Sequence, residues 1–290
     1  MEIQLSNSYP FNLGFTLDCG QAFRWNKRGE WWYGVVREKG FKIRQVSSKL
    51  EFENVDADFV KDYFGLRDDL PKIFSQITID KHIKAAVEKF NGLRILRQDP
   101  WECLISYICA TYKNIPAIRQ MLFNLSKKFG NKKAFNSYEF HTFPTPTRLA
   151  KTSIKELAEC GVGYRAKYIS ETAKTIYGND FKLEGLKKKG YEKTRRELLT
   201  FPGVGLKVAD CVLLFSLGKL EAFPVDTWLK RIIIKYYTSH FPKEFIKKIL
   251  SKKSLANSEY KRLNLFGRRN FGRYAGYAQE YLYHFERTQC

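Results

Sequence analysis

Lys207 is the residue of this chain best suited to nucleophilic chemistry. It follows the segment LLTFPGVG and lies in the first turn of a largely apolar predicted helix, LKVADCVLLF. The helix dipole and desolvation both disfavour an ammonium group at that position, so they favour the neutral amine. A neutral amine is a nucleophile, whereas an ammonium ion is not. In the alternative interpretation, Lys207 merely pairs with Asp210 one turn later.

Asp226 is the carboxylate that could act with this amine. It follows Pro224 and Val225 and directly precedes the apolar segment TWLKRIIIKYY, which predicts that it is an N-cap. A carboxylate beside an amine can also stabilise a cationic transition state. The pair therefore suits attack at a sugar carbon with departure of a base.

The segment YEKTRRELLTFPGVGLKVADCVLLFSL predicts two helices joined by a short hinge. Pro202 is expected to end the first helix, and Gly203 and Gly205 permit positive φ and close backbone approach. The free amides at the start of the second helix, together with its dipole, form a seat for an anion such as a DNA phosphate. An ordinary helical hairpin has the same pattern, so the motif alone leaves DNA binding open.

The composition indicates a polyanionic partner. The chain has 290 residues and a net charge of +21, from 51 Lys and Arg against 30 Asp and Glu. Nucleic acid is the first candidate and an anionic membrane surface the second, although lysines can also merely cover solvated faces. No apolar run reaches the roughly 20 residues of a membrane span, and no signal peptide is expected. The six cysteines, Cys290 included, form no CxxC pair, so they predict reduced intracellular thiols and no metal cluster.

Two regions with different periodicity follow each other along the chain. QAFRWNKRGEWWYGVVREKGFKIRQVSSKLEF predicts a meander of short antiparallel strands, and helical spacing begins near Asp56. Asp99 and Pro100 then predict the start of a buried helix, whereas NSYEFHTFPTPTRLA predicts a loop. We therefore expect an α+β protein, with a mixed β domain at 1–96 and a helical domain at 97–290.

Several segments resemble the helix–hairpin–helix (HhH-GPD) DNA glycosylase superfamily. Besides the hairpin, they are CGQAFRW, RQDPWECLISYICATYKNI, GVGYRAKYI and FGRYAGYAQEYLY, which together span residues 19–283. They are similar to the 8-oxoguanine DNA glycosylase/lyase type found in eukaryotes and in some bacteria and archaea. The resemblance implies that residues 1–96 are the TBP-like N-terminal domain of that type.

The resemblance implies a bifunctional mechanism. Lys207 would displace the damaged base at the sugar C1′ and form a Schiff base, which leads to β-elimination, and Asp226 would stabilise the oxocarbenium-like charge. No metal for the chemistry and no organic cofactor are implied. The hinge carbonyls match family positions that can hold a monovalent cation, sodium or potassium, against the phosphate; they belong to Leu199, Phe201 and Val204.

The resemblance also assigns the recognition of the flipped base. The Gly20 carbonyl would accept the N7–H of 8-oxoguanine, which guanine lacks. Gln279 would read the Watson–Crick edge, and Cys211 and Tyr283 would contact the two faces of the base. Without the family, Gly20 would be interpreted as a strand-entry glycine and Tyr283 as a core residue.

The resemblance also implies contacts to the duplex, at the hinge glycines Gly203 and Gly205 and at a second loop, GVGYR, at 161–165. Tyr164 would wedge into the duplex, and Arg165 would contact the opposite cytosine.

Three positions depart from the eukaryotic pattern: Trp228 replaces a histidine, Tyr112 an asparagine and Ala117 an arginine. The first puts a phosphate contact in doubt. The other two predict weaker discrimination of the base opposite the lesion.

The function expected from the sequence is excision of 8-oxoguanine from double-stranded DNA in base excision repair. A related glycosylase for another oxidised or an alkylated purine, and a non-catalytic DNA-binding protein, are the alternatives. Lys207 argues against the alkylated-base enzymes, which usually lack this lysine. We expect a monomer that binds no membrane and acts in the cytoplasm of a prokaryote, on the nucleoid.

Overall fold

The computed structural model describes residues 1–6, 10–135 and 138–289. Within these ranges, an N-terminal antiparallel sheet with flanking helices precedes a mostly helical region that contains the helix–hairpin–helix. The predicted α+β fold is confirmed. The prediction of a reduced thiol at Cys290 falls outside the described residues.

Strands form two antiparallel sheets. They are β1 (Glu2–Gln4), β2 (Trp25–Arg28), β3 (Trp31–Val36), β4 (Lys39–Val46), β5 (Lys49–Glu53), β6 (Lys132–Phe135) and β7 (Tyr138–His141). The larger sheet has the order β1–β5–β4–β3–β2, so β2 to β5 form the predicted meander. Its buried face carries Trp25, Phe41 and Phe52, because alternate side chains of a strand point to the same side.

Fifteen α-helices lie within the described residues. They are α1 (Leu13–Asp18), α2 (Ala57–Tyr63), α3 (Leu70–Ile77), α4 (Lys81–Lys89), α5 (Pro100–Cys109), α6 (Ile115–Phe129), α7 (Pro146–Ala150), α8 (Ile154–Leu157), α9 (Arg165–Gly178), α10 (Tyr191–Leu198), α11 (Leu206–Phe215), α12 (Thr227–Tyr236), α13 (Lys243–Leu250), α14 (Asn257–Phe271) and α15 (Ala275–Arg287). The predicted start of α5 is confirmed, since Asp99 accepts a hydrogen bond from the Glu102 amide at 2.9 Å. None of these helices is long and apolar enough to cross a membrane.

The hairpin of β6 and β7 replaces part of a predicted loop. Tyr138–His141 pairs with Lys132–Phe135, so the loop prediction is wrong for those four residues, and it is also wrong for Pro146–Ala150, which forms α7. Phe140 is buried against Gly40 of the larger sheet, where a Cβ would lie 2.4 Å from its ring. This contact with the larger sheet stabilises the extended conformation of Tyr138–His141. The proline and asparagine residues near this segment had instead predicted a loop.

Hydrophobic contacts cross the predicted boundary at residue 96. Helices α3 and α4 precede that position, yet both pack on α15 near the end of the chain. Leu70, Leu213 and Tyr281 accordingly belong to one core cluster. The division into 1–96 and 97–290 stays a prediction, and these contacts bring N-terminal residues to the site described below.

Buried polar groups hold the turn that follows α1. Gln21 is 1% exposed, and its amide nitrogen donates to the carbonyl oxygens of Thr16 at 3.0 Å and Arg94 at 2.8 Å. The Tyr107 hydroxyl, from α5, donates to the Gln21 carbonyl at 3.2 Å. Breaking one of these buried hydrogen bonds costs about 1–3 kcal/mol, because a polar group is left without a partner. The turn is therefore fixed between the sheet region and the helical region.

Candidate active site

The hinge of the helical hairpin runs from Leu199 to Gly205. Helix α10 ends at Leu198, three residues earlier than the Pro202 stop predicts. Two tight turns follow, in which the Phe201 amide donates to the Leu198 carbonyl at 3.2 Å and the Val204 amide to the Phe201 carbonyl at 3.1 Å. Gly203 has a φ of +77°, and a Cβ there would lie 2.8 Å from the ring of Tyr168. Only glycine fits that position.

The second hinge glycine has a different role. Gly205 is the N-cap of α11 with a φ of −89°, so the prediction of a positive φ is wrong for this residue. A Cβ at Gly205 would meet no atom within 4 Å. The first amides of α11 receive no side-chain cap from it, so they are available to an anion at the positive end of the helix dipole.

Lys207 lies in the first turn of α11, as predicted, and lines a cavity of about 380 Å³. We call it the Lys207 cavity. Its ammonium nitrogen is 5.5 Å from the centroid of the Tyr107 ring. Lys207 forms no ion pair with any described residue. The amine is therefore not occupied by a structural partner.

Asp210 does not pair with Lys207, and that alternative is wrong. Its carboxylate is fully buried and is shared by four other side chains at 2.6–3.1 Å. These partners are Tyr191, Arg195, Tyr260 and Asn264. They belong to α10 and α14, so Asp210 holds α11 between these two helices and leaves Lys207 free.

Asp226 is the N-cap of α12, as predicted, and it also lines the Lys207 cavity. Its side chain accepts a hydrogen bond from the Leu229 amide at 2.8 Å. Burial raises the pKa of the Asp226 carboxyl above its ordinary value, and the positive charge of Lys207 offsets part of that increase. The amine and the carboxylate predicted to act together therefore face the same cavity.

The four residues predicted to contact a flipped base also line the Lys207 cavity; they are Gly20, Cys211, Gln279 and Tyr283. Gly20 has a φ of +98°, and its Cα faces the Arg287 and Tyr283 side chains. Gln279 is 5% exposed, and its Oε1 has no hydrogen-bond partner among the described residues. Burial raises the pKa of the Cys211 thiol to about 12, so this thiol is neutral at pH 7.

A second cavity, of about 360 Å³, lies beside the hinge. We call it the Tyr112 cavity; it is lined by Tyr112, Tyr164, Arg165, Gly203 and Gly205, among others. The rings of Tyr112 and Tyr164 are 82% and 58% exposed. Arg165 instead is 3% exposed, and it donates to the Thr111 carbonyl. Its predicted contact with a base stays a prediction, and that contact requires the guanidinium to leave this carbonyl.

Trp228 lies in the wall of the Lys207 cavity and not at the hinge. The guanidinium of Arg231 lies 5.3 Å from its ring centroid. Among the wall residues of this cavity that sequence reasoning did not assign, one is a buried carboxylic acid. That residue is Glu280, which is 2% exposed. Sequence reasoning missed it, because a glutamate on an amphipathic helix is typical of a solvated face.

In the described part of the chain, no three His, Cys, Asp or Glu side chains are grouped as metal ligands. Backbone oxygens can also bind monovalent cations, and the hinge supplies the carbonyls of Leu199, Phe201 and Val204. Neither Leu199 nor Val204 has a carbonyl that receives a backbone hydrogen bond within the described hinge. These two carbonyl oxygens are thus free to face a cation.

Comparisons with known proteins agree with this geometry. The 8-oxoguanine DNA glycosylase N-terminal domain family matches residues 3–104, and the HhH-GPD superfamily of base excision DNA repair proteins matches residues 105–254. An N-glycosylase/DNA lyase of Saccharomyces cerevisiae is 31% identical over 96% of this chain and 84% of its own length. A probable N-glycosylase/DNA lyase of Methanothermobacter thermautotrophicus is 31% identical over 77% of this chain and 72% of its own.

A solved structure is similar over nearly the whole fold. It is the Clostridium acetobutylicum 8-oxoguanine glycosylase/lyase in complex with double-stranded DNA that contains cytosine opposite 8-oxoguanine. The two chains share 33% identity with a TM-score of 0.86, over 96% of this chain and 92% of the other. Together with the helical hairpin and the Lys207 cavity, these matches show that the chain belongs to the HhH-GPD superfamily of base excision DNA repair proteins.

Proposed function

We propose that this protein is a bifunctional DNA glycosylase and abasic-site lyase that excises 8-oxoguanine from duplex DNA. The observation that carries the proposal is the shared cavity of Lys207, Asp226, Gly20 and Gln279, next to the uncapped N-terminus of α11. The relatives named N-glycosylase/DNA lyase support the reaction type, and the Clostridium enzyme supports the substrate.

After the Lys207 ammonium group gives up a proton, its amine starts the reaction by attacking C1′ of the damaged nucleotide. The bond from C1′ to the base breaks, and the base leaves with the electron pair and gains a proton. Positive charge develops on the sugar as this bond breaks, and the carboxylate of Asp226 stabilises it at close range. The new C1′–N bond remains, so the protein is covalently attached to the sugar.

Strand cleavage follows from the same covalent bond. The nitrogen loses one of its two protons as the sugar ring opens, and O4′ takes up a proton, which gives a protonated Schiff base at C1′. The iminium draws electrons from C2′, so a C2′ proton is lost and the bond from C3′ to the 3′ oxygen breaks. Attack by water would leave no imine, so it would not drive this elimination. The lysine therefore accounts for both activities.

Base selection depends on residues outside the lysine and aspartate pair. The Gly20 carbonyl would accept the N7–H that only the oxidised base carries, and the free Oε1 of Gln279 would accept from its Watson–Crick edge. Cys211 and Tyr283, in the cavity wall, would contact the two faces of the base. These contacts offset the few kcal/mol that extrusion of the nucleotide costs.

The duplex would lie across the hinge and the Tyr112 cavity. The amides of α11 would bind a phosphate, and a monovalent cation at the carbonyls of Leu199, Phe201 and Val204 would strengthen that contact. Tyr164 would enter the gap left by the flipped base, with Tyr112 and Arg165 near its former partner. The net charge of +21 of the whole chain supports binding of the protein to DNA. We propose that the protein acts as a monomer on the nucleoid in a prokaryotic cytoplasm.

Borohydride trapping tests the proposal. An 8-oxoguanine duplex is incubated with protein and borohydride, which reduces the Schiff base to a stable protein–DNA adduct. We expect an adduct with the unmodified protein and a decrease of roughly 1000-fold or more in Lys207→Gln. Lys84→Gln, on the exposed face of α4, is the matched control and should form the adduct normally. Absence of both adduct and base release with the unmodified protein would overturn the proposal.

A further inference from the structure

Arg287 is a charged residue of the Lys207 cavity to which the proposed mechanism gives no role. It is the last residue of α15, and it forms no ion pair within the described part of the chain. One of its terminal nitrogens, Nη2, donates to the carbonyl of Asp18. A guanidinium carries five N–H donors, so this contact leaves others for a ligand. A half-buried cation with further donors in the wall of a substrate cavity indicates a contact with the substrate.

The other terminal nitrogen of Arg287, Nη1, lies beside Gly20. It is 2.9 Å from the position that a Cβ of Gly20 would take, and the Tyr283 hydroxyl is 3.5 Å from the same point. Both Gly20 and Arg287 line the Lys207 cavity. Together they bring a carbonyl acceptor and a charged donor to neighbouring positions of the cavity wall.

Helix α15 places Arg287 at one end of the base pocket. Gln279, Tyr283 and Arg287 all line the cavity and are four residues apart, so they lie along one face of the helix. Gln279 and Arg287 are therefore about 12 Å apart along the helix axis. Since the base would lie with its Watson–Crick edge at Gln279 and one face on Tyr283, Arg287 lies towards the opposite end, which carries N7 and C8.

Oxidation changes guanine at two neighbouring atoms of that end. N7 gains a hydrogen, and C8 exchanges its hydrogen for a carbonyl oxygen, O8. The oxidised base therefore presents a donor next to an acceptor, whereas guanine presents an acceptor at N7 and a C–H group that accepts no hydrogen bond at C8. An acceptor beside a donor in the cavity wall matches the oxidised base at both atoms and guanine at neither.

We propose that Arg287 donates a hydrogen bond to O8 of the flipped base, while the Gly20 carbonyl accepts from N7–H. This inference rests on the proposed function and adds a second point at which the lesion is recognised. Arginine is a permanently charged donor, so the hydrogen bond to O8 is charge-assisted. Hydrogen bonds of this kind account for about 10- to 100-fold in rate or affinity.

The test measures excision of two lesions that differ at one atom. 8-Oxoguanine and 8-thioguanine both carry N7–H, but the sulfur of the second is a weak hydrogen-bond acceptor. Single-turnover rates on otherwise identical duplexes give the preference for oxygen over sulfur. Comparing this preference between variants cancels the intrinsic reactivity of the two bases and any common effect on DNA binding.

Two substitutions of Arg287 separate the contact with O8 from the contact with Asp18. Arg287→Met keeps most of the side-chain length and removes every donor, so the preference for 8-oxoguanine should fall about tenfold. Displacement of the turn at Asp18 slows both excisions alike and leaves the preference unchanged. Arg287→Lys keeps the charge but lacks the fork that reaches two acceptors, so its preference should fall by about threefold.

Arg231→Met is the matched control. The Arg231 guanidinium lies 5.3 Å from the ring centroid of Trp228, a residue of the cavity wall, but Arg231 itself does not line the cavity. Its loss removes an equal charge and should leave the preference unchanged. Adduct formation at a preformed abasic site, which has no base to recognise, reports whether each variant is folded. If Arg287→Met forms no adduct, Arg287→Lys carries the comparison.

Two outcomes would overturn the inference. One is an unchanged preference in the Arg287 variants, with both excisions slowed equally, which would show that Arg287 only holds the turn or contacts a phosphate. The other is the same change of preference in Arg231→Met, which would indicate a general effect of charge. Failure of the proposed function looks different, since the unmodified protein would then excise neither lesion.

Discussion

The Lys207 cavity and the Tyr112 cavity differ in how firmly their walls are held. Gly20 belongs to a turn fixed by buried hydrogen bonds, and Asp226 is bound to the backbone of its own helix. In the Tyr112 cavity, by contrast, the rings of Tyr112 and Tyr164 are mostly exposed, and no packing holds them to this extent.

This difference is consistent with the role proposed for each cavity. Covalent chemistry requires a nucleophile held close to its target, and a misplacement of about 1 Å can cost 100-fold in rate. Exposed side chains that read the opposite strand can rearrange when DNA binds. Of the three positions that depart from the eukaryotic pattern, Tyr112 lines the Tyr112 cavity and Trp228 lines the Lys207 cavity. Ala117 lies in the first turn of α6 and lines neither cavity.

The largest effect is expected from removing the charge of the cavity carboxylate. Asp226→Asn keeps an N-cap for α12, because asparagine caps helices as well as aspartate does. Loss of the negative charge should lower base excision about 100- to 1000-fold in single-turnover assays. Because burial raises the pKa of Asp226, excision should also decline on acidification at a higher pH than an exposed aspartate would give.

Asp56→Asn is the control for this variant. Asp56 caps α2 in the same way, with its carboxylate 2.7 Å from the Phe59 amide, but lies in the sheet region. It should keep full activity. Equal activity of Asp226→Asn and the unmodified protein would show that Asp226 only caps its helix.

A smaller effect is expected from a substitution at Gly20, in the turn that follows α1. In Gly20→Ala the new methyl group would lie 2.9 Å from the Arg287 guanidinium and 3.2 Å from Ile115. Excision of 8-oxoguanine should fall about 10- to 100-fold, with a smaller decrease for adduct formation at abasic sites. Gly29→Ala is a matched control, since Gly29 also has a positive φ but open space around it. If both variants behave alike, backbone strain rather than the cavity explains the loss.

The smallest effect is expected at Tyr112, the exposed tyrosine of the Tyr112 cavity. The unmodified protein should excise 8-oxoguanine opposite all four bases with only modest preference, measured as rates on four duplexes. Tyr112→Asn should raise the preference for cytosine about fivefold, because an amide can read a base edge and a phenol ring stacks less selectively. Tyr177→Asn, at another exposed tyrosine, should change nothing. Strict cytosine preference in the unmodified protein would contradict the prediction.

Local signals predicted the parts of the site that depend on neighbours in sequence. The caps at Asp99 and Asp226 and the first-turn position of Lys207 follow from residue types and helical periodicity, and the structure confirms them. The full set of Asp210 partners could not be predicted, because two of them, Tyr260 and Asn264, approach from α14, which is distant in sequence. The same holds for Glu280, whose burial in the cavity wall depends on how α15 packs against the rest of the fold.

The contact between Arg287 and the Asp18 carbonyl joins residues 269 positions apart. Helix α15 also supplies Gln279, Glu280 and Tyr283 to the Lys207 cavity. During translation, the hairpin and its lysine therefore emerge from the ribosome well before the helix that completes the base pocket. A nascent chain at that stage has the nucleophile but not the wall that selects its target, so lesion recognition requires that α15 has also been synthesised.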